Sequence, residues 1–210
     1  IISEVAKQRV YALAPEAFSR ERAHISSGSL QDLKEIAQHC AESRVSGELF
    51  HLATEGEHSN NSDFCASFTS RYGGAYFSLE QAAQIDSIRW ALDKALETGE
   101  ITLAAWRRML ICLGRASLSV SNTTGHFAQF LKPKERNASR YKSTMLRDVG
   151  DAFLSACMSV LPAGNEEWRD KNSAFNTEAM ELLNELEFCA SRPRVIYCDP
   201  PYTADHYSRY

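Results

Sequence analysis

The chain has 210 residues, of which 44% are hydrophobic and 24% are charged. This length and composition allow one sizeable core and exclude a disordered chain. No stretch approaches the roughly eighteen consecutive apolar residues of a membrane helix, and the N-terminus lacks a basic segment followed by an apolar one. We therefore expect a cytoplasmic protein without membrane contact.

Charge is distributed unevenly along the chain. The net charge of −4 argues against general affinity for nucleic acid, which needs Lys and Arg to neutralise phosphates. Residues 116–147, however, contain a single acid, Glu135, and these bases: Lys132, Lys134, Arg136, Arg140, Lys142 and Arg147. We expect this basic patch to contact a polyanion, although such a run is also typical of a solvated face.

The six cysteines stand singly along the sequence. There is no CxxC pair and no His or Cys cluster at the spacing of metal ligands. The cysteines indicate reduced, mostly buried thiols, and we expect no metal.

The first predicted helix is short. Ser29 and Asp32 resemble a capping box, and apolar residues then recur at helical spacing to about Cys40. Residues 47–70 have no clear order, and the polar stretch 55–63 is typical of a surface loop.

Longer helices follow in the middle of the chain. The clearest begins at Ser78, which forms a capping box with Gln81, and ends at Gly99. Another is expected at about 103–118. Residues 119–139 break the helical rhythm and predict a loop or a short hairpin.

Two further helices are predicted, at about 143–161 and 177–189, with a turn at 162–165 between them. The apolar side of the first is expected to consist of Leu146, Val149, Phe153, Leu154, Cys157 and Val160. The chain is therefore predicted to be mostly helical up to this point.

A short apolar run near the C-terminal end, 194–198, is typical of a buried parallel strand. The tetrad Asp199-Pro200-Pro201-Tyr202 follows it directly. Open α/β folds bind ligands at the carboxyl edge of the sheet, so this position favours an active-site loop. The alternative is a proline-rich turn that leaves a strand, yet chance gives such a tetrad in roughly one chain of this length per thousand.

The tetrad is rich in hydrogen-bond acceptors. Its two prolines fix φ and remove two N–H donors, so the loop is stiff and presents carbonyl oxygens. An ionised Asp199 and the Pro200 carbonyl can accept both protons of an exocyclic amine, while Tyr202 can stack on a base. Such acceptors localise the nitrogen lone pair, which promotes attack on a positioned methyl sulfonium.

With these residues in view, the segment Val195–Tyr207 resembles the catalytic strand and loop of adenine-specific DNA methyltransferases of the D12 class. The segment Tyr72–Ser78 is similar to the one that this class carries before its long helix. The segment Asn122–Phe127 is similar to the loop of this class that precedes the catalytic strand. The resemblance extends from about residue 72 to the end, and residues 1–70 match nothing in the class.

The resemblance implies an α/β class I, Rossmann-like S-adenosylmethionine-dependent fold for the parent protein. The present chain would be a mainly α-helical excerpt with the catalytic strand at its C-terminal end. Residues 1–70 form an unassigned helical or loop region. Residues 71–190 form a helical insertion with a DNA-recognition loop at about 119–142. Residues 191–210 carry the catalytic strand and loop.

The resemblance also implies roles for individual residues. Asp199, Pro200 and Pro201 would form the catalytic loop around the adenine N6 amine, with Tyr202 stacked on the flipped base. Asp199 would also lie beside the methionyl end of S-adenosylmethionine. The residues implied in binding double-stranded DNA are Asn122, Thr124, Gly125, His126, Lys132, Lys134, Arg136, Arg140 and Lys142. An Asn-x-x-Gly sequence by itself is usually just a turn.

The biological setting implied by the resemblance is a restriction–modification or related defence system in a prokaryotic cytosol. The partner there would be a restriction endonuclease encoded elsewhere.

One family feature is missing, because no Phe-x-Gly-x-Gly cofactor loop occurs in the 210 residues. The first methionine is Met109, and the chain stops eight residues after Tyr202. We therefore expect an excerpt of a longer protein, although a processed chain would look the same. We expect such an excerpt to bind S-adenosylmethionine weakly or not at all by itself.

Two other functions fit the same residues. One is a non-catalytic DNA-recognition module, which the missing cofactor loop favours. The other is a methyltransferase for RNA adenine or another planar amine or amide. Asp at the first and Tyr at the fourth tetrad position favour DNA adenine, whereas Ser first would suggest cytosine N4 and Asn first a protein amide.

Overall fold

The computed structural model describes residues 11–12, 14–47, 49–51, 66–123, 127, 129–170, 172–187 and 197. The chain consists of two compact units, Ile1–Val160 and Leu161–Tyr210, and each is described by itself. The helices of the first unit are α1 Pro15–Ser27, α2 Leu30–Ser46, α3 Ser67–Tyr72, α4 Leu79–Glu97, α5 Leu103–Val120, α6 Ala138–Met145 and α7 Val149–Ser159, with a 3-10 turn at Glu135–Asn137. Those of the second are α8 Glu166–Arg169 and α9 Ala179–Glu187.

The mainly helical character predicted from the sequence is confirmed for the described residues. Pairing of β type within them is limited to two isolated bridges, Gly73 with Phe77 and Thr123 with Phe130. None of the described helices combines the length and apolar character needed to cross a membrane. The domain boundaries predicted from the sequence stay a prediction.

Side-chain caps fix the starts of the predicted helices. Ser29 accepts from the Asp32 amide at the start of α2, and Ser78 forms the predicted reciprocal capping box with Gln81 at the start of α4. Thr102 accepts from the Ala105 amide at the start of α5. Each cap satisfies an amide that the helix itself leaves unpaired, so these starts could be located from local sequence.

The end of α2 differs from the prediction, which placed it near Cys40. The helix continues to Ser46, although its last turns lack an apolar repeat. Contacts from outside the helix stabilise these turns: the Leu49 amide donates to the Ser43 hydroxyl at 3.1 Å, and the Arg44 guanidinium donates to the Gly73 carbonyl.

Helix α4 lies at the centre of the first unit. Its N-terminal half is buried on both sides, so it contributes to two apolar clusters. Towards α1 and α2 the cluster contains Ala17, Phe18, Ile36, Cys40, Leu79 and Ala83. Towards α5 and α7 it contains Ile85, Ile88, Leu113, Ala116, Val149 and Phe153.

The single helix predicted at 143–161 is wrong. The chain forms α6 and α7, with a break at 146–148, and Asp148 caps α7 by accepting from the Asp151 amide. Two glutamines of α4 form hydrogen bonds with backbone groups at this break between α6 and α7. Gln81 donates to the Thr144 and Arg147 carbonyls at 2.8 and 2.9 Å, and Gln84 accepts from the Val149 amide at 3.0 Å.

The break also corrects the predicted apolar side of that helix. Leu146 is 58% exposed and Leu154 is 52% exposed, so neither faces the core. Val149 and Phe153 are buried in the cluster with α5, as predicted, and Cys157 and Val160 pack against it.

Helix α1 lies in the region that the sequence left unassigned. It begins at Pro15 after Ala14, which provides no side-chain cap. Its Glu21 carboxylate reaches the start of α4, where it accepts from the Leu79 amide at 2.8 and 2.7 Å and from the Glu80 amide at 3.4 Å. A carboxyl group at a helix N-terminus accepts hydrogen bonds from amides that the helix itself leaves free. Glu21 therefore joins α1 to α4.

The described part of the second unit contains two short helices. Asn165 caps α8 by accepting from the Trp168 amide at 2.8 Å, within the predicted turn region. Helix α9 lies inside the helix predicted at 177–189. The predicted strand 194–198 lies outside the described residues except Tyr197, which is 87% exposed and carries no strand structure. The predicted strand 194–198 stays a prediction.

Three cysteines fall within the described residues, and all three are free thiols. Cys40 and Cys112 are buried, whereas Cys157 is half-buried. Burial raises the pKa of the Cys40 thiol above its usual range, which keeps it protonated and unreactive.

Candidate nucleic-acid interface

Part of the predicted site lies outside the described residues. The tetrad Asp199–Tyr202, with the cofactor contact expected at Asp199, belongs to this part, and so do residues 124–126 of the predicted recognition loop. The described residues do include the elements that flank this loop and the basic residues that follow it. The roles of the tetrad, Thr124, Gly125 and His126 stay predictions.

The segment Tyr72–Ser78 forms a tight turn between α3 and α4. The Gly74 amide donates to the Phe77 carbonyl at 2.7 Å, and the Ala75 amide donates to the Tyr72 carbonyl at 3.2 Å. Gly74 has φ +71, a conformation that L side chains rarely adopt, and a Cβ there would overlap the Cys40 side chain. A glycine is therefore required at this turn.

Asn122 joins this turn to the loop that follows α5. Its backbone amide donates to the Tyr76 carbonyl at 2.7 Å, and its carbonyl accepts from the Leu131 amide at 3.1 Å. Its side-chain amide donates to the Ala75 and Leu131 carbonyls at 3.2 and 2.6 Å. Two segments some fifty residues apart in the sequence are thereby held together.

The same bonds define what Asn122 does in the structure. The residue is only 3% exposed, and both hydrogens of its side-chain amide are donated to backbone carbonyls. It positions the loop from inside the protein. The DNA contact predicted for its side chain stays a prediction.

Aromatic side chains surround the junction. The Tyr76 ring lies 5.7 Å from that of Phe127 and 5.5 Å from that of Phe130, and the Tyr76 hydroxyl donates to the Phe127 carbonyl at 2.9 Å. Phe127 is 48% exposed. An exposed aromatic ring can stack on an unpaired base.

Lys132 and Lys134 lie beside the junction on the wall of a groove of about 640 Å³. Helix α2 forms the opposite wall, with Lys34 and Arg44. The rest of the lining consists of Ala37, Gln38, Ala41, Phe130 and Pro133. Lys34 and Arg44 were not predicted to belong to the site, because they lie outside the basic run at 132–147. Their spacing gave no clear signal, because ten residues correspond to about 2.8 helical turns and leave the two side chains about 80° apart around the axis of α2.

The other predicted basic residues do not line the groove. Arg136 and Arg140 are exposed along the 3-10 turn and α6. The Lys142 ammonium instead donates to the Ser26 carbonyl at 3.2 Å, at the C-terminal end of α1, where the helix dipole favours a cation. The basic residues predicted to act together are therefore separated: Lys132 and Lys134 line the groove, Arg136 and Arg140 are exposed outside it, and Lys142 binds the end of α1.

Arg44 connects the groove to the glycine turn. Its guanidinium donates to the Gly73 carbonyl, and burial lowers the pKa of Arg44. A guanidinium stays protonated in proteins at neutral pH even so. Arg44 thus contributes a positive charge and fixes the distance between α2 and the turn.

Two buried acids position the helices around this interface. Burial raises the pKa of Glu21 to about 8 and that of Asp86 to about 7, and bonds from backbone amides oppose both shifts. Asp86 accepts from the Phe68 and Thr69 amides at 3.0 and 2.9 Å, which caps α3. Both acids bind backbone amides, so their role is to hold helices in place.

One group in the described part of the chain brings metal-type ligands together. Donor atoms of His24, Asp32 and Glu35 lie within 4.8 Å of one another between α1 and α2. Neighbours already bind both acids, since Ser27 donates to Asp32 and Gln31 donates to Glu35 at 2.7 Å. The Ser27–Asp32 bond and the approach of His24 Nε2 to Glu35 at 3.7 Å join α1 to α2.

Comparison with known proteins relates the chain to DNA methylases. It is 26% identical over 161 residues to Modification methylase LlaI of Lactococcus lactis subsp. lactis. The match covers 76% of this chain and 23% of that protein, so the chain spans about a quarter of the length of this relative. No family model matches the chain, and no solved structure matches it. The similarity supports a relationship with DNA methyltransferases.

Proposed function

We propose that the chain is part of a site-specific DNA methyltransferase that transfers a methyl group from S-adenosylmethionine to adenine N6. The parent protein would have a Rossmann-like class I catalytic domain and work in the cytoplasm in a restriction–modification or related defence system. The observation that carries the proposal is the tetrad Asp199–Tyr202 in a chain similar to a modification methylase.

The chemistry follows from the residues of the tetrad. Asp199 and the Pro200 carbonyl accept the two N6 hydrogens, which localises the nitrogen lone pair, and Tyr202 stacks on the extruded base. S-adenosylmethionine, when bound, supplies the electrophilic methyl group. As the nitrogen–carbon bond forms and the sulfur–carbon bond breaks, positive charge develops on N6, where the acceptors stabilise it. The N6 proton is then lost to water, so no histidine base is needed.

The helical part of the chain supports this proposal through its geometry. Asn122 holds the loop after α5 against the glycine turn before α4, and both elements belong to segments that resemble the class. An exposed Phe127 and two lysines of the groove lie around this junction. We assign DNA contact to the loop 122–126 and to the basic residues at 132–142.

The direct test uses the full parent protein, duplex DNA and S-adenosylmethionine with a labelled methyl group. We expect N6-methyladenine in the digested DNA, and we expect Asp199→Ala to abolish it. A matched control is Asp170→Ala, an exposed acid in the same unit, which should leave transfer unchanged. Transfer that survives Asp199→Ala would refute the catalytic assignment, and N4-methylcytosine as the product would refute the adenine assignment.

A second function is favoured by one observation, the absence of a Phe-x-Gly-x-Gly sequence from the 210 residues. In that case the chain recognises DNA without transferring a methyl group. The same assay separates the two, because a pure recognition module binds duplex DNA but leaves it unlabelled. Labelling of RNA in place of DNA would instead identify an RNA adenine methyltransferase.

A further inference from the structure

The groove between α2 and the loop before α6 combines charge with an apolar floor. Lys34 and Arg44 form one wall, and Lys132 and Lys134 form the other. Among the described residues no acid lines the groove, since Glu42 and Glu135, which lie close to its walls in the sequence, are not part of the lining. The groove is therefore positively charged, although the net charge of the chain is −4.

The lysines of the groove are available for a ligand. Within the described part of the chain, no acidic side chain forms an ion pair with Lys34, Lys132 or Lys134. All three are exposed. Three cations held near one another repel, and a polyanion that binds between them relieves this repulsion.

The floor of the groove suits a sugar backbone. Ala37 and Ala41 of α2 are small, and Phe130 and Pro133 of the opposite wall are apolar and rigid. Small side chains allow a strand to approach the helix closely. Apolar surface packs against the deoxyribose between successive phosphates.

The length of the charged wall also fits a nucleic acid. Ten residues of helix separate Lys34 from Arg44, which corresponds to about 15 Å along the axis of α2. Phosphates are more widely spaced along a strand than their rise of roughly 3.4 Å along the duplex axis, so the wall can face two or more phosphates of one strand. Arg44 also contacts the Gly73 carbonyl, which places the groove next to the glycine turn and the loop held by Asn122.

We propose that this groove binds the sugar–phosphate backbone of one DNA strand, with Lys34, Lys132 and Lys134 neutralising phosphates. The inference rests on the proposed function in its choice of DNA. It extends that function by making α2, which lies N-terminal to the segments Tyr72–Ser78 and Asn122–Phe127, part of the DNA-binding surface. The groove contacts the backbone and not the base edges, so it contributes affinity and register without reading sequence.

The test measures binding of the 210-residue chain to a fluorescent duplex between about 50 and 200 mM salt. The slope of log K against log salt changes by about 0.9 for each phosphate that the protein no longer neutralises. We expect Lys34→Gln to reduce the slope by about 0.9, and Lys34→Gln with Lys132→Gln to reduce it by about 1.8. Lys34→Arg, which keeps the charge, should retain the slope.

The matched control is Lys94→Gln. Lys94 lies on α4, outside the groove, and pairs with Glu97 at 2.8 Å, so its replacement removes the same charge elsewhere. We expect its slope to equal that of the unchanged chain. Circular dichroism and the Tm verify that each variant is folded.

Several results would overturn the inference. A folded Lys34→Gln variant with an unchanged slope places the DNA backbone elsewhere. Equal reductions for Lys34→Gln and Lys94→Gln indicate a general charge effect. Poly-glutamate that binds as tightly as the duplex, with the same dependence on Lys34, identifies an acidic polypeptide as the occupant.

Failure of the inference and failure of the proposed function are distinguishable. If the parent protein methylates adenine but Lys34→Gln leaves DNA binding unchanged, the groove is wrong and the function stands. If Lys34→Gln reduces the slope but the parent transfers no methyl group, the groove stands and the function is wrong.

Discussion

Removal of the Asn122 side chain should loosen the junction between the glycine turn and the loop after α5. Asn122→Ala deletes two hydrogen bonds, to the Ala75 carbonyl at 3.2 Å and to the Leu131 carbonyl at 2.6 Å. A net hydrogen bond contributes about 1 kcal/mol, and a buried polar group that is left without its partner costs about 1–3 kcal/mol. Because the site is buried and water cannot replace the amide, we expect the free energy of unfolding to fall by about 2–4 kcal/mol.

Asn137 offers a matched control. It makes a similar pair of bonds in a more exposed loop, accepting from the Lys134 amide at 2.6 Å and donating to the Lys132 carbonyl at 3.1 Å. Water can reach these groups, so Asn137→Ala should cost about 1 kcal/mol or less. Urea unfolding followed by circular dichroism measures both variants. For Asn122→Ala, the destabilisation corresponds to a Tm lower by roughly 5–15 °C.

Asn122→Asp adds a pH signature to the same test. The variant keeps the size of the side chain but directs a carboxylate at two carbonyl oxygens, so it should be less stable than Asn122→Ala at pH 7. At a pH that protonates the carboxyl, the variant regains one donor and part of its stability. A destabilisation by Asn122→Ala no larger than that by Asn137→Ala, or a pH-independent Asn122→Asp, would refute the reasoning.

Three other predictions concern buried acids and the glycine turn. The pKa of Glu21 is raised to about 8, so its contribution to the free energy of unfolding is complete below about pH 4.5 and is lost as the pH rises through about 8. Glu21→Gln should remove this pH dependence, which urea unfolding at pH 5 and pH 8.5 measures. An equal difference in stability between the variant and the wild type at the two pH values would contradict the prediction. The contribution of Asp86 to stability should likewise be complete below about pH 3.8 and be lost as the pH rises through about 7, and Asp86→Asn should remove this pH dependence. Gly74→Ala should lower the free energy of unfolding by several kcal/mol, because φ is +71 and the new Cβ overlaps Cys40. Gly114→Ala is the control, since a Cβ there meets nothing within 4 Å, and it should be neutral or stabilise the protein by up to about 1 kcal/mol. Thermal unfolding measures both variants.

Local sequence was sufficient to locate the elements that carry their own caps. The starts of α2, α4 and α5 depend on Ser29, Ser78 and Thr102, each of which binds an amide three residues ahead. Such interactions lie within one turn of helix, so they are visible in the sequence.

The elements that were missed depend on distant partners. Helix α1 begins without a side-chain cap and is held by the contacts of Glu21 and Phe18 with α4. The break at 146–148 depends on Gln81 and Gln84, more than sixty residues away. Periodicity of apolar residues could not indicate these polar contacts, because they connect elements that only the fold brings together.

The candidate interface divides in the same way. Lys132 and Lys134 were identified because they cluster in the sequence, whereas Lys34 joins them only through the packing of α2 against the loop before α6. Lys142 also has a partner that only the fold reveals, because its ammonium donates to the Ser26 carbonyl at the end of α1. The DNA contact predicted for Lys142 stays a prediction.

The contact between the Glu21 carboxyl group and the start of α4 limits where this chain can be divided. A transplanted segment that began at Tyr72, where the resemblance starts, would omit α1 and leave the Leu79 and Glu80 amides without their acceptor. It would also uncover the apolar side of α4 that faces α1 and α2. A unit that keeps this packing therefore has to include Pro15–Ser27, which lies N-terminal to a segment that starts at Tyr72.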